Sequence, residues 1–196
     1  MKHCSRRSFF KTTTGTVLAA PAFLTRDVLG ANGKLQVAVV GMNGFGQQLT
    51  RRFLSSGRAD VVAIGDVDRQ VLDAQTNNIA FPTNPQKVHD FRELLGNDAI
   101  DAIVFATPDH WHAIMAIMAC EAGKDVYLEK PAAHNVNECR EIAKAAEVYN
   151  RIVQHGTQQR SGLHFKNAKE YILAGILGKI GEVKTWATLD RGNLHD

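Results

Sequence analysis

Glu129-Lys130-Pro131 sets an ammonium beside a carboxylate, a pairing suited to moving a proton. The pKa of a lysine falls readily when it is desolvated or near another cation, and it can then exchange a proton with a hydroxyl near neutral pH. Taken alone, the same residues also describe a surface lysine paired with its neighbouring glutamate. Val40-Gly41-Met42-Asn43-Gly44-Phe45-Gly46 lies close to the pattern G-x-G-x-x-G, in which backbone amides at a helix start cradle a pyrophosphate. Gly41 and Gly46 fit, Asn43 replaces the middle glycine, and Gly44 follows it. Asn tolerates left-handed backbone angles, so the tight turn is expected to survive with Asn43 in it. The closest approach to phosphate then shifts to the amides of Gly44 and Phe45. A purely structural glycine turn fits these residues as well.

Asp66 stands twenty residues after Gly46, at the end of the second apolar run. A carboxylate there accepts hydrogen bonds from ribose hydroxyls and repels a 2′-phosphate, which favours NAD as cofactor over NADP. Asp68 and Arg69 are close enough to modify that preference, so NADP stays open, and a solvent-facing turn aspartate is the other reading. Thr107-Pro108-Asp109-His110-Trp111-His112 closes the fourth apolar run. His110 and His112 have no third His, Cys or carboxylate at matching spacing, so no metal site is expected. His112 is expected to anchor the helix that follows, and Trp111 either walls a ligand pocket or fills the loop. Cys4, Cys120 and Cys139 match no zinc or redox spacing, and the latter two read as small core residues.

These groups need a scaffold. Apolar runs at 35–40, 61–64, 88, 99–106, 126–128 and 151–154 alternate with helical patterns that begin near Gln47, Arg69, Phe91, His112 and Asn135. Such alternation predicts a doubly wound parallel α/β sheet, a Rossmann-type domain over 31–155, covered by helices on both faces. Ligands bind such sheets outside the carboxyl ends of the strands, where the winding direction switches. After Gly156 the rhythm changes. A helix near 166–173 and an alternating stretch at Glu182–Leu189 predict the opening of an α+β second domain over 156–196, cut short at the end of the chain.

The chain has 196 residues and a formal charge of +3. Its first thirty residues hold five cations against Asp27, so the remainder carries about −1 and offers no basic face for nucleic acid. Ser5-Arg6-Arg7-Ser8-Phe9-Phe10-Lys11, followed by an uncharged apolar stretch from Thr12 to Leu24, resembles a twin-arginine export signal. That stretch is too short to span a bilayer, and Ala20-Pro21-Ala22 offers a small-residue cleavage site. Residues 1–30 are therefore expected to address the protein to the twin-arginine export machinery and the periplasm.

Taken together, Gly41 to Gly46, Asp66, Thr107-Pro108 with His112, Gly123-Lys124, Glu129-Lys130-Pro131, Gly156-Thr157-Gln158-Gln159-Arg160 and Gly178-Lys179-Ile180-Gly181 resemble the glucose–fructose oxidoreductase, inositol dehydrogenase and rhizopine-catabolism family. The resemblance covers roughly 34–190. It implies an NAD-dependent oxidoreductase that moves a hydride between nicotinamide and a hydroxyl-bearing carbon of a sugar or cyclitol, and a homo-oligomer at full length. It further implies that Lys130 is the catalytic lysine, that Glu129 lies near the nicotinamide ribose, and that Gln158, Gln159 and Arg160 approach the active site from the substrate side. The family's second-domain carboxylate and histidine have no counterpart here. Two other readings are an exported glycosidase that uses tightly held NAD for transient sugar oxidation, and a nucleotide-binding chain without catalysis.

Overall fold

The structure, a computed structural model, describes residues 33–186, so the expected export signal lies outside the described residues. β1 (Leu35–Val40) reads LQVAVV, with Val37 and Val39 buried on one face of the sheet and Ala38 and Val40 on the other. Burial on both faces is why the strand is apolar from Val37 to Val40 instead of alternating. The strands that follow are β2 (Ala59–Gly65), β3 (Gln86–Val88), β4 (Ala102–Phe105), β5 (Asp125–Glu129) and β6 (Val153–Gly156). All pair in parallel, in the order β3-β2-β1-β4-β5-β6, as the doubly wound reading predicted.

Between them run α1 (Phe45–Ser55), α2 (Arg69–Asn78), α3 (Arg92–Leu95), α4 (Asp109–Glu121) and α5 (Val136–Val148). α1 and α2 cover one face through Leu49 and Leu72; α4 and α5 cover the other through Ala116, Ala119, Cys120, Ile142 and Ala145. Cys120 is buried in this second core and Cys139 packs against it.

Local signals explain where the helices begin and end. Asp68 caps α2, its Oδ1 accepting from the Gln70 amide at 2.8 Å. The Asn135 side chain accepts from the Glu138 amide at 3.0 Å while the Glu138 carboxylate takes the His134 amide, a capping box reaching one residue further back than expected. α4 starts at Asp109, three residues before the expected His112, because Pro108 already stands at its amino cap. It ends where Gly123 adopts φ 75°, with Lys124 N–H donating to Ala119 C=O and Gly123 N–H to Cys120 C=O. β6 begins two residues after the expected Arg151. The Arg151 amide still donates to Ala146 C=O and Asn150 turns with φ 50°, so the chain leaves α5 before it can join the sheet.

Past Gly156 come a single 3₁₀ turn (Gln158–Ser161) and α6 (Leu163–Leu173), which has no buried residue. The strand expected over Glu182–Leu189 does not form at 182–186, where no neighbouring strand pairs with it, and 187–189 lie outside the described residues.

The sheet register decides what can meet. Val40 pairs with both Gly65 and Phe105, Phe105 with Leu128, and Leu128 with His155. The carboxyl ends are level, so Gly41, Asp66, Thr107, Lys130 and Thr157 all emerge along one rim.

Candidate functional site

Gly41 leaves β1 at φ 88°, and a Cβ on it would lie 2.6 Å from Ala106 O. A Cβ on Gly46 would lie 1.7 Å from Gly41 O. Both glycines are therefore required for the chain to double back against the end of β4. The remaining left-handed position of the turn is Gly44, at φ 58°. Asn43 does not adopt the left-handed angles expected of it. Among the described residues Asn150 alone does so without being glycine, and Asn43 is instead an exposed side chain at the edge of a cleft. Gly44 caps α1 with no side-chain hydrogen bond, and the first turn holds no acidic residue. That leaves amide N–H groups and the positive end of the helix dipole free for an anion. The Phe45 ring turns away onto the core, with the Arg52 guanidinium 5.5 Å from its centroid, so any ligand contact from this residue comes from its backbone.

Asp66 ties the turn to β2. Its Oδ2 accepts from the Met42 amide at 2.7 Å and its Oδ1 from the Asp68 amide at 3.0 Å. Each oxygen keeps a further lone pair for an outside donor.

Gly41, Asn43, Asp66, Thr107 and Pro108 border one cleft of about 780 Å³. Its far wall was missed: His89, Asp90 and Phe91 come from the turn after β3 and Arg92 from the start of α3, and Val67, Ile114 and Met118 add apolar surface. The clue was topological, since a strand beside β2 must end on the same rim. Trp111 faces this cleft and is 49% exposed, so the pocket-wall reading of that residue is the one that fits. Within that wall, the hydrogen-bonded Arg92 guanidinium holds the Asp90 carboxyl down at about 2.

His112 lies beneath the rim instead of on the cleft. It is 1% exposed, with Nε2 2.8 Å from Thr107 O and Nδ1 2.7 Å from Pro131 O. The ring thus braces the turn after β4 against the turn after β5.

Glu129 and Lys130 stand on the same rim as the glycine turn but outside the 780 Å³ cleft. Glu129 is 6% exposed. Its carboxylate accepts from the Lys130 amide at 3.1 Å, from the Tyr127 hydroxyl at 3.3 Å and from Gln158 Nε2. A carboxylate buried this far needs such donors. The Lys130 side chain is exposed, and its ammonium has no ion-pair partner or acceptor among the described residues, so it is not the surface lysine paired with Glu129. Lys130–Pro131 is a cis peptide. Of the three residues after β6 expected on the substrate side, Gln158 reaches Glu129, while the side chains of Gln159 and Arg160 are exposed and make no hydrogen bond among the described residues.

Residues 35–157 match the family described as "Oxidoreductase family, NAD-binding Rossmann fold". The chain belongs to this family. It is 32% identical over 150 residues to inositol 2-dehydrogenase 1 of Saccharopolyspora erythraea, covering 74% of this chain and 43% of that protein. It is 34% identical over 123 residues to a glycosyl hydrolase family 109 protein of Shewanella sp. (strain W3-18-1), covering 58% of this chain and 27% of that one. Among solved structures, the myo-inositol 2-dehydrogenase of Lactobacillus plantarum superposes with a TM-score of 0.68 at 28% identity, over 75% of this chain and 43% of that one. The chain therefore spans less than half the length of these relatives.

The residues present fit NAD, the family's cofactor. Gly44 leaves the start of α1 open, α1 offers unpaired amides, and Asp66 holds acceptor lone pairs at the cleft edge. Removing one charged hydrogen-bond partner costs roughly 1.5–3 kcal/mol. Asp66→Ala is accordingly expected to weaken NAD binding by about tenfold or more and to narrow the gap between NAD and NADP. Fluorescence titration of the protein with each dinucleotide checks this, and an unchanged NAD affinity rules out ribose recognition by Asp66.

Proposed function

We propose that this protein transfers a hydride between nicotinamide and a hydroxyl-bearing carbon of a sugar or cyclitol, with Lys130 carrying the hydroxyl proton. The observation that supports this best is the position of the Lys130 ammonium. It is unpaired and accessible on the rim that also carries the glycine turn, one residue beyond a carboxylate that already accepts three donors. NAD, when bound, would supply the hydride acceptor. Lys130, in its neutral amine form, takes the O–H proton as the substrate C–H bond breaks and the carbon becomes a carbonyl. The turn formed by Gly41 to Gly46 and the Asp66 carboxylate would hold the dinucleotide, on the same rim that carries Lys130. The relatives named inositol 2-dehydrogenase support a polyol substrate.

The relatives named glycosyl hydrolase family 109 proteins favour a second reading, in which the sugar is oxidised, loses its aglycone by elimination and is reduced again on the same NAD. One assay separates the two. The protein is given NAD with a panel of aldoses and cyclitols, myo-inositol included, and separately with p-nitrophenyl glycosides. Net NADH with a polyol supports the dehydrogenase; p-nitrophenol release without NADH supports the glycosidase. Silence in both assays leaves a nucleotide-binding protein without catalysis.

The Ser5 to Lys11 segment supports export by the twin-arginine route, to the periplasm or an equivalent compartment, after folding around the dinucleotide. Replacing Arg6 and Arg7 together by lysine is expected to retain the protein in the cytoplasm, as read by cell fractionation. Association into homo-oligomers belongs to the same reading of the family.

A further inference from the structure

β5 and β6 enclose a polar cluster that hydride transfer does not itself require. Tyr127 and Glu129 lie two residues apart on β5, so their side chains share the α1 face of the sheet, where the Tyr127 ring meets Phe53 edge-on at 6.2 Å. The register pairs Glu129 with Gly156, and Gln158 follows two residues later in the 3₁₀ turn. Gln158 Nε2 donates to the Tyr127 hydroxyl oxygen at 3.2 Å and to Glu129 Oε1, while the Tyr127 hydroxyl donates to the same Oε1 at 3.3 Å. Glu129 Oε2 is then left to accept the Lys130 amide at 3.1 Å. Space for this arrangement depends on Gly156: a Cβ there would lie 2.7 Å from the Tyr127 hydroxyl oxygen and 2.9 Å from Glu129 Oε1.

Both oxygens of Glu129 are thus engaged by donors within the chain. One oxygen is held by two side-chain donors, and the other holds the backbone of the next residue. We propose that Tyr127 and Gln158 are positioning residues that act through Glu129 to fix the backbone from which Lys130 projects, so that the ammonium is aimed by a polar lock beneath the rim. The inference rests on the reading that Lys130 carries the proton. Burial, together with the adjacent Glu129 charge, raises the Tyr127 pKa, which keeps the phenol a donor over the working range of the enzyme.

The test compares Gln158→Met, Gln158→Glu and Tyr127→Phe with Lys130→Met, using NAD and whichever polyol of the panel above is turned over fastest. Gln158→Met keeps side-chain length and removes the donor. It is expected to lower kcat about a hundredfold with NAD affinity unchanged, the scale expected when a reacting group is misaimed by about an ångström. Tyr127→Phe is expected to lose about tenfold, since Gln158 remains.

Gln158→Glu sets two carboxylates in contact. The field of Arg52 on α1 reaches the adjoining Tyr127 hydroxyl, and Lys130 follows Glu129 in the chain. Like charges at that range oppose each other, so the second proton of the pair is held to higher pH and is given up as pH rises. The ratio of variant to wild-type kcat is expected to approach one at the acid end and to fall steadily towards neutral pH. A role confined to packing leaves that ratio flat. Hydrogen-exchange protection of the Lys130 amide provides a readout without turnover, and it is expected to drop in Gln158→Met. If Lys130→Met is inactive while the Gln158 and Tyr127 variants keep the wild-type kcat and pH profile, the lock is overturned and the proton-carrier reading survives. If Lys130→Met retains full turnover, or if the wild type turns over no polyol of the panel, that reading falls and the inference falls with it.

Discussion

Lys130→Met is expected to lower kcat for polyol oxidation by roughly 10²–10⁴, the usual contribution of a positioned acid or base. NAD binding and the thermal midpoint should both stay where they are. The ammonium is exposed and has no partner among the described residues, so removing it leaves no buried group unsatisfied and no cavity behind. Lys130→Arg is expected to be as inactive as the methionine variant, because a guanidinium keeps its proton across the accessible pH range and cannot accept one from a hydroxyl. Stopped-flow measurement of NADH formation, alongside a dinucleotide titration, separates lost chemistry from lost binding. Recovery of activity in the arginine variant assigns the residue to charge stabilisation; unchanged turnover in both removes it from the reaction.

The parts of this site legible in the sequence are those where local chemistry and long-range topology require the same residue. Gly41 and Gly46 are set by backbone overlap within a single turn, and Asp66 by the end of the neighbouring strand, so a spacing rule captures both. The strand–helix alternation likewise implied a level rim, because right-handed crossovers in a parallel sheet leave little choice. What escaped depended on contacts between distant segments. The 89–92 segment joins the cleft only because β3 lies beside β2, and the Pro131 carbonyl that fastens His112 is nineteen residues away in sequence. Asn43 misled for a local reason: its tolerance of left-handed angles was real, but glycines on either side took those positions. The strand expected at 182–189 shows the limit of period-two alternation, since a strand exists only where another strand accepts its hydrogen bonds.

The glycine turn supports the second large effect, and two alanine substitutions in it are expected to behave differently. Gly46→Ala places a methyl 1.7 Å from Gly41 O, a contact with backbone that no rotamer can relieve. Either α1 shifts away from β1 or the turn opens, at a cost of about 3 kcal/mol or more. Gly44→Ala meets nothing within 4 Å and carries only the penalty of its backbone conformation, φ 58° with ψ −109°, roughly 1–3 kcal/mol. Urea unfolding is therefore expected to show a lower midpoint for Gly46→Ala than for Gly44→Ala. NAD affinity should reverse that order of interest: a methyl at Gly44 projects into open space at the uncapped start of α1, where a pyrophosphate would sit, so Gly44→Ala should lose affinity out of proportion to its smaller loss of stability. If Gly44→Ala binds NAD as tightly as the wild type, the phosphate does not rest on this helix end, and the turn is required for the fold alone.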